Sequence, residues 1–136
     1  MSYQDILIPQ LRIDEGVRYV LYTDSRGVPT YGCGHNAHVP ITDAAVNQIL
    51  MDDVAVAEVG ARRLFPCFDQ LSEVRQAVVM NMTFNLGEET LSTFTTFIGL
   101  VNSGDYAAAA QDMLGTAWAA QVGERAIRLS TAMREG

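Results

Sequence analysis

The chain has 136 residues, of which 49% are hydrophobic and 18% are charged, so it is long and apolar enough for one domain or two small lobes. Nine arginines and no lysine stand against sixteen acidic residues, and the net charge of −7 argues against nucleic acid as a partner. No apolar run reaches the roughly 18 residues of a membrane span, and the first ten residues lack the pattern of a signal peptide. We therefore expect no membrane partner, and we expect Cys33 and Cys67 to be free thiols.

A short helix and a β-hairpin are predicted at the start of the chain. Pro9 is tolerated in the first turn of a helix, so a helix is expected over about residues 8–15. Strand-forming residues at 19–23 and 28–31 flank the turn sequence Asp24–Gly27, a pattern that predicts a β-hairpin. Two glycines follow at residues 32–35, where they permit a close approach of the backbone to another group.

Helices dominate the remainder. Thr42 and Asp43 begin a helix of more than twenty residues, which ends before Pro66. Capping residues and glycines then delimit four more helices, with a short turn around Trp118 before the last one. Their expected bounds are about 72–87, 92–104, 106–114 and 123–134.

The predicted class is therefore α+β, mostly α, with no internal repeat or flexible linker. A small N-terminal lobe is expected over about residues 8–42 and a connecting helix over about 43–64. A helical C-terminal lobe would follow over about residues 66–136, and the whole chain, 1–136, would form one domain.

Two carboxylates and a hydroxyl form the first candidate site. Glu15 ends the first predicted helix, where a negative charge meets the unfavourable end of the helix dipole. The hairpin folds Thr30 back toward Asp24, so that both side chains can share one cleft with Glu15. One carboxylic acid could then protonate a leaving oxygen, while the other carboxylate and the threonine hold a water molecule. The simpler alternative is a turn-forming Asp24 beside an ordinary strand threonine.

Polar residues at unfavourable positions form three further candidates. Arg125 lies in the first turn of the last helix, where it is either a solvated cation or the partner of a buried carboxylate. Asn81 and Asn85 border an apolar helix face, where they either cross-link the core or line a cleft. Asp53 lies on the apolar side of the long helix, which predicts a structural ion pair with His35.

A metal site is a weaker alternative. Cys33, His35 and His38 are zinc-ligand types, but their spacing matches no closed zinc site, and a fourth ligand is missing unless Asp24 supplies it. No phosphate-binding loop, dinucleotide motif or nucleophile elbow is present. We therefore expect no metal and no cofactor.

Several motifs follow one another in an order that covers essentially the whole chain. They are Leu11–Arg18, Tyr22–Asp24, Thr30–His35, Thr42–Asp43, Asp53–Val54, Val74–Arg75, Asn81–Glu88, Trp118–Gln121 and Arg125–Arg128. Together they resemble the T-even phage lysozymes of glycoside hydrolase family 24. The resemblance implies a two-lobed lysozyme-like fold with a small β-hairpin lobe.

The activity implied by the resemblance is that of an endo-acting muramidase. Such an enzyme hydrolyses the β-1,4 bond between N-acetylmuramic acid and N-acetylglucosamine in bacterial peptidoglycan. Glu15 matches the general acid, and Asp24 and Thr30 match the pair that positions the attacking water, which implies inversion at the anomeric carbon. Arg125 matches the arginine that pairs with the catalytic glutamate.

The resemblance also implies supporting and substrate-binding residues. His35 and Asp53 match a structural ion pair of the family, in agreement with the pairing proposed above. The implied substrate contacts are Asn36, Phe84, Asn85, Phe97, Asp112 and Gln121, of which Asn36, Phe97 and Asp112 depart from the residue types typical of the family.

The implied role is that of a monomeric endolysin encoded by a phage or prophage. It would wait in the host bacterial cytoplasm and reach the periplasm with the help of a holin. Two departures from the family matter: the chain is shorter between His38 and Thr42, and it is acidic, which weakens electrostatic steering toward an anionic cell wall.

Two alternatives to an inverting hydrolase stay open. One is a non-hydrolytic, peptidoglycan-binding relative of the fold, which the acidic charge and the shortened lobe favour. The other is a lytic transglycosylase, which needs an acid/base glutamate and no Asp24–Thr30 pair. A 1,6-anhydro product would distinguish it from a hydrolase.

Overall fold

The computed structural model describes residues 1–136 and contains eight α-helices, one short 3-10 helix and one three-stranded sheet. This composition confirms the α+β, mostly α class. The chain divides into two compact units, residues 1–46 (unit 1) and residues 47–136 (unit 2). None of the helices combines the length and the apolar character that crossing a lipid bilayer would require.

The first helix, α1 (Tyr3–Asp14), begins earlier than the predicted start at about residue 8. Ser2 caps it, because the Ser2 hydroxyl accepts from the Asp5 N–H while the Asp5 carboxylate accepts from the Ser2 N–H at 2.6 Å. Pro9 therefore lies inside the helix and removes the hydrogen bond that its nitrogen would otherwise donate to the preceding turn. The predicted end is confirmed, since Glu15 is the C-terminal cap residue.

The sheet consists of β1 (Arg18–Thr23), β2 (Pro29–Gly32) and β3 (His35–Asn36), antiparallel and in that order. The predicted hairpin is confirmed, whereas β3 was not predicted because two residues carry no periodic signal. Thr30 lies opposite Tyr22 on one side and opposite Asn36 on the other. The central strand thus carries Thr30, and its neighbour β3 carries two further predicted site residues, His35 and Asn36.

The long helix α2 (Asp43–Leu64) has the predicted bounds, and the boundary between the two units falls within it. The other helices of unit 2 are α3 (Glu73–Leu86), α4 (Glu88–Leu91), α5 (Thr95–Asn102), α6 (Tyr106–Leu114), α7 (Ala117–Val122) and α8 (Glu124–Glu135), and the 3-10 helix is Phe68–Gln70. The predicted caps Ser72 and Asp105 are confirmed. Helix α4 was missed, and the expected turn around Trp118 is helix α7.

All buried hydrophobic residues lie in unit 2, between Ala57 and Met133. The core is built around two large aromatic rings, since Phe65 and Phe97 are fully buried and meet edge to face with centroids 6.1 Å apart. In unit 1 the only buried residue is Thr30. Unit 1 therefore depends on hydrogen bonds and on the helix–turn contact described below rather than on a buried apolar core.

Candidate active site

Glu15 lies at the end of α1, against the turn that joins β2 to β3. Its N–H donates to the carbonyl oxygen of Leu11 at 2.8 Å. A Cβ atom built on Gly34 would lie 3.1 Å from Oε2 of Glu15, so the glycine and the carboxylate are in close contact. The thiol of Cys33 also donates to the Leu11 carbonyl, at 3.2 Å. The close approach predicted for this glycine segment is therefore confirmed at Gly34.

Asp24 is held by the turn that it begins. Its Oδ1 accepts hydrogen bonds from the backbone N–H groups of Arg26 at 2.8 Å and Val28 at 2.9 Å. The pKa of Asp24 is lowered, and the hydrogen bond from the Val28 N–H is the largest cause. Desolvation raises this pKa, but the backbone N–H and the positive charge of Arg26 lower it further. Asp24 is therefore ionised near neutral pH, with Oδ1 engaged by the backbone.

Thr30 is joined to Asp24 through a single carbonyl group. The Thr30 hydroxyl donates to the Val28 oxygen at 2.9 Å, and the same oxygen accepts the Asp24 N–H at 2.9 Å. Thr30 is 4% exposed. Because the hydroxyl hydrogen is engaged, the threonine oxygen can serve a further partner only as an acceptor.

The predicted residues of β3 lie beside this pair. The ring of His35 packs against Tyr31 with centroids 5.1 Å apart, and its Nε2 atom is buried without a hydrogen-bond partner. The Asn36 side chain accepts from the His38 N–H at 2.9 Å. The structure contains no group of three His, Cys, Asp or Glu side chains placed to share a metal ion.

In unit 2, two asparagines one helical turn apart on α3 bind side chains from other helices. Nε and Nη2 of Arg125 donate to Oδ1 of Asn81 at 2.9 and 2.7 Å. The indole N–H of Trp118 donates to Oδ1 of Asn85 at 2.8 Å. The two asparagines thus cross-link α3 to α8 and α7, and Asn81 and Arg125 also line a cavity of about 280 Å³.

The family model for phage lysozyme matches residues 12–134 of the chain, the segment that carries Glu15, Asp24, Thr30 and Arg125. The chain belongs to the phage lysozyme family.

Three relatives show how far this lysozyme similarity extends. The chain is 24% identical to probable T4-type lysozyme 1 of Dictyostelium discoideum, over 93% of this chain and 92% of the relative. It is 28% identical to the endolysin of Salmonella phage P22, over 79% of this chain and 77% of the relative. It is also 27% identical to the pre-baseplate central spike protein Gp5 of Enterobacteria phage T4, over 93% of this chain but only 27% of that longer protein.

The other expected substrate contacts differ in exposure. Phe84 is 44% exposed and borders a cavity of about 430 Å³ that Asp53 also lines. Asp112 lines another cavity, of about 300 Å³, together with Trp118. Gln121 and Asn85 are exposed. Phe97 is fully buried in the core, so the structure corrects its expected role: no part of its ring is available to a substrate.

The sequence did not single out two residues of this candidate site. Val28 connects Asp24 with Thr30 through its backbone, so its side chain carries no signal, although an Asp-x-x-Gly turn indicates that the amides after Asp24 are close to its carboxylate. Gly34 was noted only as part of a glycine segment, and the pattern did not name Glu15 as the group it approaches.

Proposed function

We propose that this member of the phage lysozyme family is a muramidase that hydrolyses the β-1,4 bond between N-acetylmuramic acid and N-acetylglucosamine in bacterial peptidoglycan. Glu15 is the general acid, and Asp24 and Thr30 position the attacking water, with inversion at the anomeric carbon. The observation that carries the proposal is the backbone of Val28, whose carbonyl accepts from the Asp24 N–H and the Thr30 hydroxyl and whose N–H donates to Oδ1 of Asp24.

The hydrogen bonds of this pair suit a nucleophilic water. The turn amides occupy Oδ1 of Asp24, which leaves Oδ2 as an acceptor, and the engaged hydroxyl hydrogen of Thr30 leaves its oxygen as an acceptor. A water that donates one hydrogen to each of them keeps a lone pair for the anomeric carbon. The lowered pKa of Asp24 keeps its carboxylate ionised and able to receive a proton from the water.

In the bond-breaking step, Glu15 gives its proton to the glycosidic oxygen as the bond from that oxygen to the anomeric carbon breaks. The water adds to the opposite face of the anomeric carbon and loses a proton to Asp24. The products are two saccharides with a new reducing end. The cycle closes when the proton on Asp24 returns through solvent to Glu15.

Two further pairings, predicted from the sequence, belong to the same proposal. Asn81 uses two of the five N–H donors of Arg125, so three stay available for the Glu15 carboxylate. Nε2 of His35 is buried and without a partner, and Asp53 is the carboxylate proposed to satisfy it.

The proposal extends to substrate binding, oligomeric state and biological role. We propose that peptidoglycan is bound with contributions from Asn36, Phe84, Asn85, Asp112 and Gln121, and that the protein acts as a monomer. The similarity to the endolysin of Salmonella phage P22 supports a bacteriolytic role in phage or prophage lysis. We further propose that the protein passes from the host cytoplasm to the periplasm through a holin.

The proposal is tested by incubating purified peptidoglycan with the parent protein, Glu15→Gln and Asp24→Asn. The parent should release reducing ends, and each variant should lower the rate by about 10²- to 10⁴-fold, the range typical of a lost acid or base. Proton NMR of the first-formed product should show the inverted anomer. Glu124→Gln, an exposed glutamate in the first turn of α8, is the control and should keep the parent rate.

The other outcomes identify the competing functions. Binding to sedimented peptidoglycan without new reducing ends would indicate a non-hydrolytic binding protein. Products that end in 1,6-anhydro sugars, made equally well by Asp24→Asn, would indicate a lytic transglycosylase. Either result would contradict the inverting mechanism.

A further inference from the structure

We propose that Gly34 is a positioning residue for Glu15. Because Gly34 has no side chain, the turn between β2 and β3 lies directly against the Glu15 side chain and fixes the direction of its carboxyl group. The inference rests on the proposed role of Glu15 as the general acid.

The contact runs along the whole Glu15 side chain. A Cβ on Gly34 would lie 3.1 Å from Oε2, 3.4 Å from Cδ and 3.4 Å from Cβ of Glu15. Two of these three atoms belong to the carboxyl group itself. An alanine at this position therefore requires the carboxyl group of Glu15 to shift by a few tenths of an ångström.

The turn cannot simply retreat, because it is fixed to the same helix end. The carbonyl oxygen of Leu11 accepts both the Glu15 N–H at 2.8 Å and the Cys33 thiol at 3.2 Å. Cys33 directly precedes Gly34, so moving the turn away from Glu15 stretches the thiol hydrogen bond. An added methyl group at Gly34 therefore displaces the carboxyl group of Glu15 rather than the turn.

Gly32, the last residue of β2, provides a matched control two residues before Gly34. Both glycines have left-handed backbone conformations, with φ of +66° at Gly32 and +71° at Gly34. A Cβ on Gly32 would have no heavy atom within 4 Å, so only the Gly34 position meets Glu15. Alanine at either position carries the same backbone strain, and the difference between the two variants isolates the contact with the carboxyl group.

The first experiment measures kcat and KM of Gly34→Ala and Gly32→Ala on a soluble peptidoglycan oligosaccharide. A misplacement of about 1 Å can cost on the order of 10²-fold in rate, so the smaller shift of Glu15 should lower kcat of Gly34→Ala by about tenfold, with KM little changed. Gly32→Ala should keep kcat within about threefold of the parent at a temperature where both variants are folded, because its strain does not reach Glu15.

Thermal unfolding provides a second readout that needs no substrate. Gly34→Ala should lower Tm more than Gly32→Ala does, and the two losses should become equal in a Glu15→Ala background, where the opposing carboxyl group is gone. If Gly34→Ala is too unstable for kinetics, this double-mutant cycle still tests the inference, because Glu15→Ala should then restore folding to the Gly34→Ala variant.

Equal losses of kcat in the two glycine variants would overturn the role of Gly34 but not the proposed function. The same conclusion would follow if Gly34→Ala still lowered Tm more than Gly32→Ala in the Glu15→Ala background. Hydrolysis by the parent that Glu15→Gln does not reduce would overturn the proposed function and this role together. The comparison with Glu15→Gln therefore separates the two failures.

Discussion

At the scale of single residues, the site is defined by which hydrogen-bonding atoms are already used. The backbone of the hairpin turn occupies Oδ1 of Asp24 and the hydroxyl hydrogen of Thr30, so each side chain has acceptor capacity left and Thr30 has no donor to offer. A strand threonine that is 4% exposed would ordinarily be attributed to packing. Its hydrogen bond to Val28 gives it a second interpretation, as one of two acceptors for water.

We predict that Thr30→Val lowers kcat by about 10²-fold, in the range for a lost positioning or proton-transfer group, with little change in Tm. Valine keeps the shape of threonine, and the Val28 oxygen keeps the Asp24 N–H as a donor. Thr30→Ser, which retains the hydroxyl, should keep most of the rate. Hydrolysis kinetics and thermal unfolding of both variants provide the check, and equal rates would remove the hydroxyl from the mechanism.

At the scale of elements, α2 and α4 are joined by an ion pair that requires close contact between them. Nε and Nη2 of Arg63 donate to Oε2 and Oε1 of Glu88 at 2.8 and 2.7 Å. A Cβ on Gly60 would lie 3.0 Å from Cβ of Glu88, so the glycine in α2 gives the glutamate room to approach. The hydrogen bonds from Arg63 outweigh desolvation and lower the pKa of Glu88.

This lowered pKa predicts how the stability of unit 2 changes with pH. Because the folded-state pKa of Glu88 lies below that of the unfolded chain, about 4.3 for glutamate, the pair stabilises the fold above the unfolded value and the effect is lost as pH falls through the folded value. Glu88→Gln should therefore lower Tm at pH 7, and its Tm should approach that of the parent as the pH falls through the folded-state pKa of Glu88 and this carboxyl group becomes protonated.

Glu89→Gln is the control for this pH dependence. Glu89 lies on the same helix, α4, and is exposed, and its side chain makes no hydrogen bond or ion pair in the structure. Its replacement makes the same change in net charge without removing an ion pair. Tm–pH curves of Glu88→Gln and Glu89→Gln that coincide would show that the Arg63 pair does not stabilise the fold.

The same elements show what the sequence can and cannot predict. Long periodic segments with caps, such as α2 and α3, were predicted with nearly correct bounds, and the hairpin followed from its turn residues. The predicted start of α1 is wrong because Pro9 lies inside the helix, whereas Ser2 and Asp5 form the cap at its beginning. Four-residue α4 and two-residue β3 are too short for periodicity to show.

The limits are similar at the candidate site. Local spacing placed Asp24 and Thr30 in one hairpin, and their hydrogen bonds agree with that placement. The burial of Phe97 could not be read from the sequence, because an aromatic residue on an apolar helix face suits a core and a cleft wall equally well. The Arg63–Glu88 pair was also not predicted, since 25 residues separate its members and no local rule connects them.

At the scale of the whole molecule, the apolar core and the proposed catalytic residues lie in different parts of the chain. Glu15, Asp24 and Thr30 belong to unit 1, which contains no buried hydrophobic residue, whereas the buried aromatic and methionine side chains belong to unit 2. A three-stranded sheet without a buried apolar face is marginal in stability. The expected single domain over residues 1–136 stays a prediction, and the stability of unit 1 bears on it.

Amide hydrogen exchange should therefore show lower protection in unit 1 than in unit 2. The amides of β2, around Thr30 and Tyr31, should exchange through local opening, whereas those of Val78 and Val79 in the core of unit 2 should exchange only on global unfolding. Mass spectrometry of exchanged peptides, or NMR, measures both sets in one experiment. Equal protection in the two sets would show that the chain unfolds as a single cooperative domain.

The confinement of the core to unit 2 also bears on how such a protein can change over generations. Replacements in the first 46 residues would remove no buried apolar side chain, and so selection there would act mainly through the loss or retention of the proposed catalysis. Replacements among the buried residues of unit 2 would instead be removed through loss of folded protein. New substrate preferences could accordingly arise in the hairpin segment while the helical segment preserves the amount of folded enzyme.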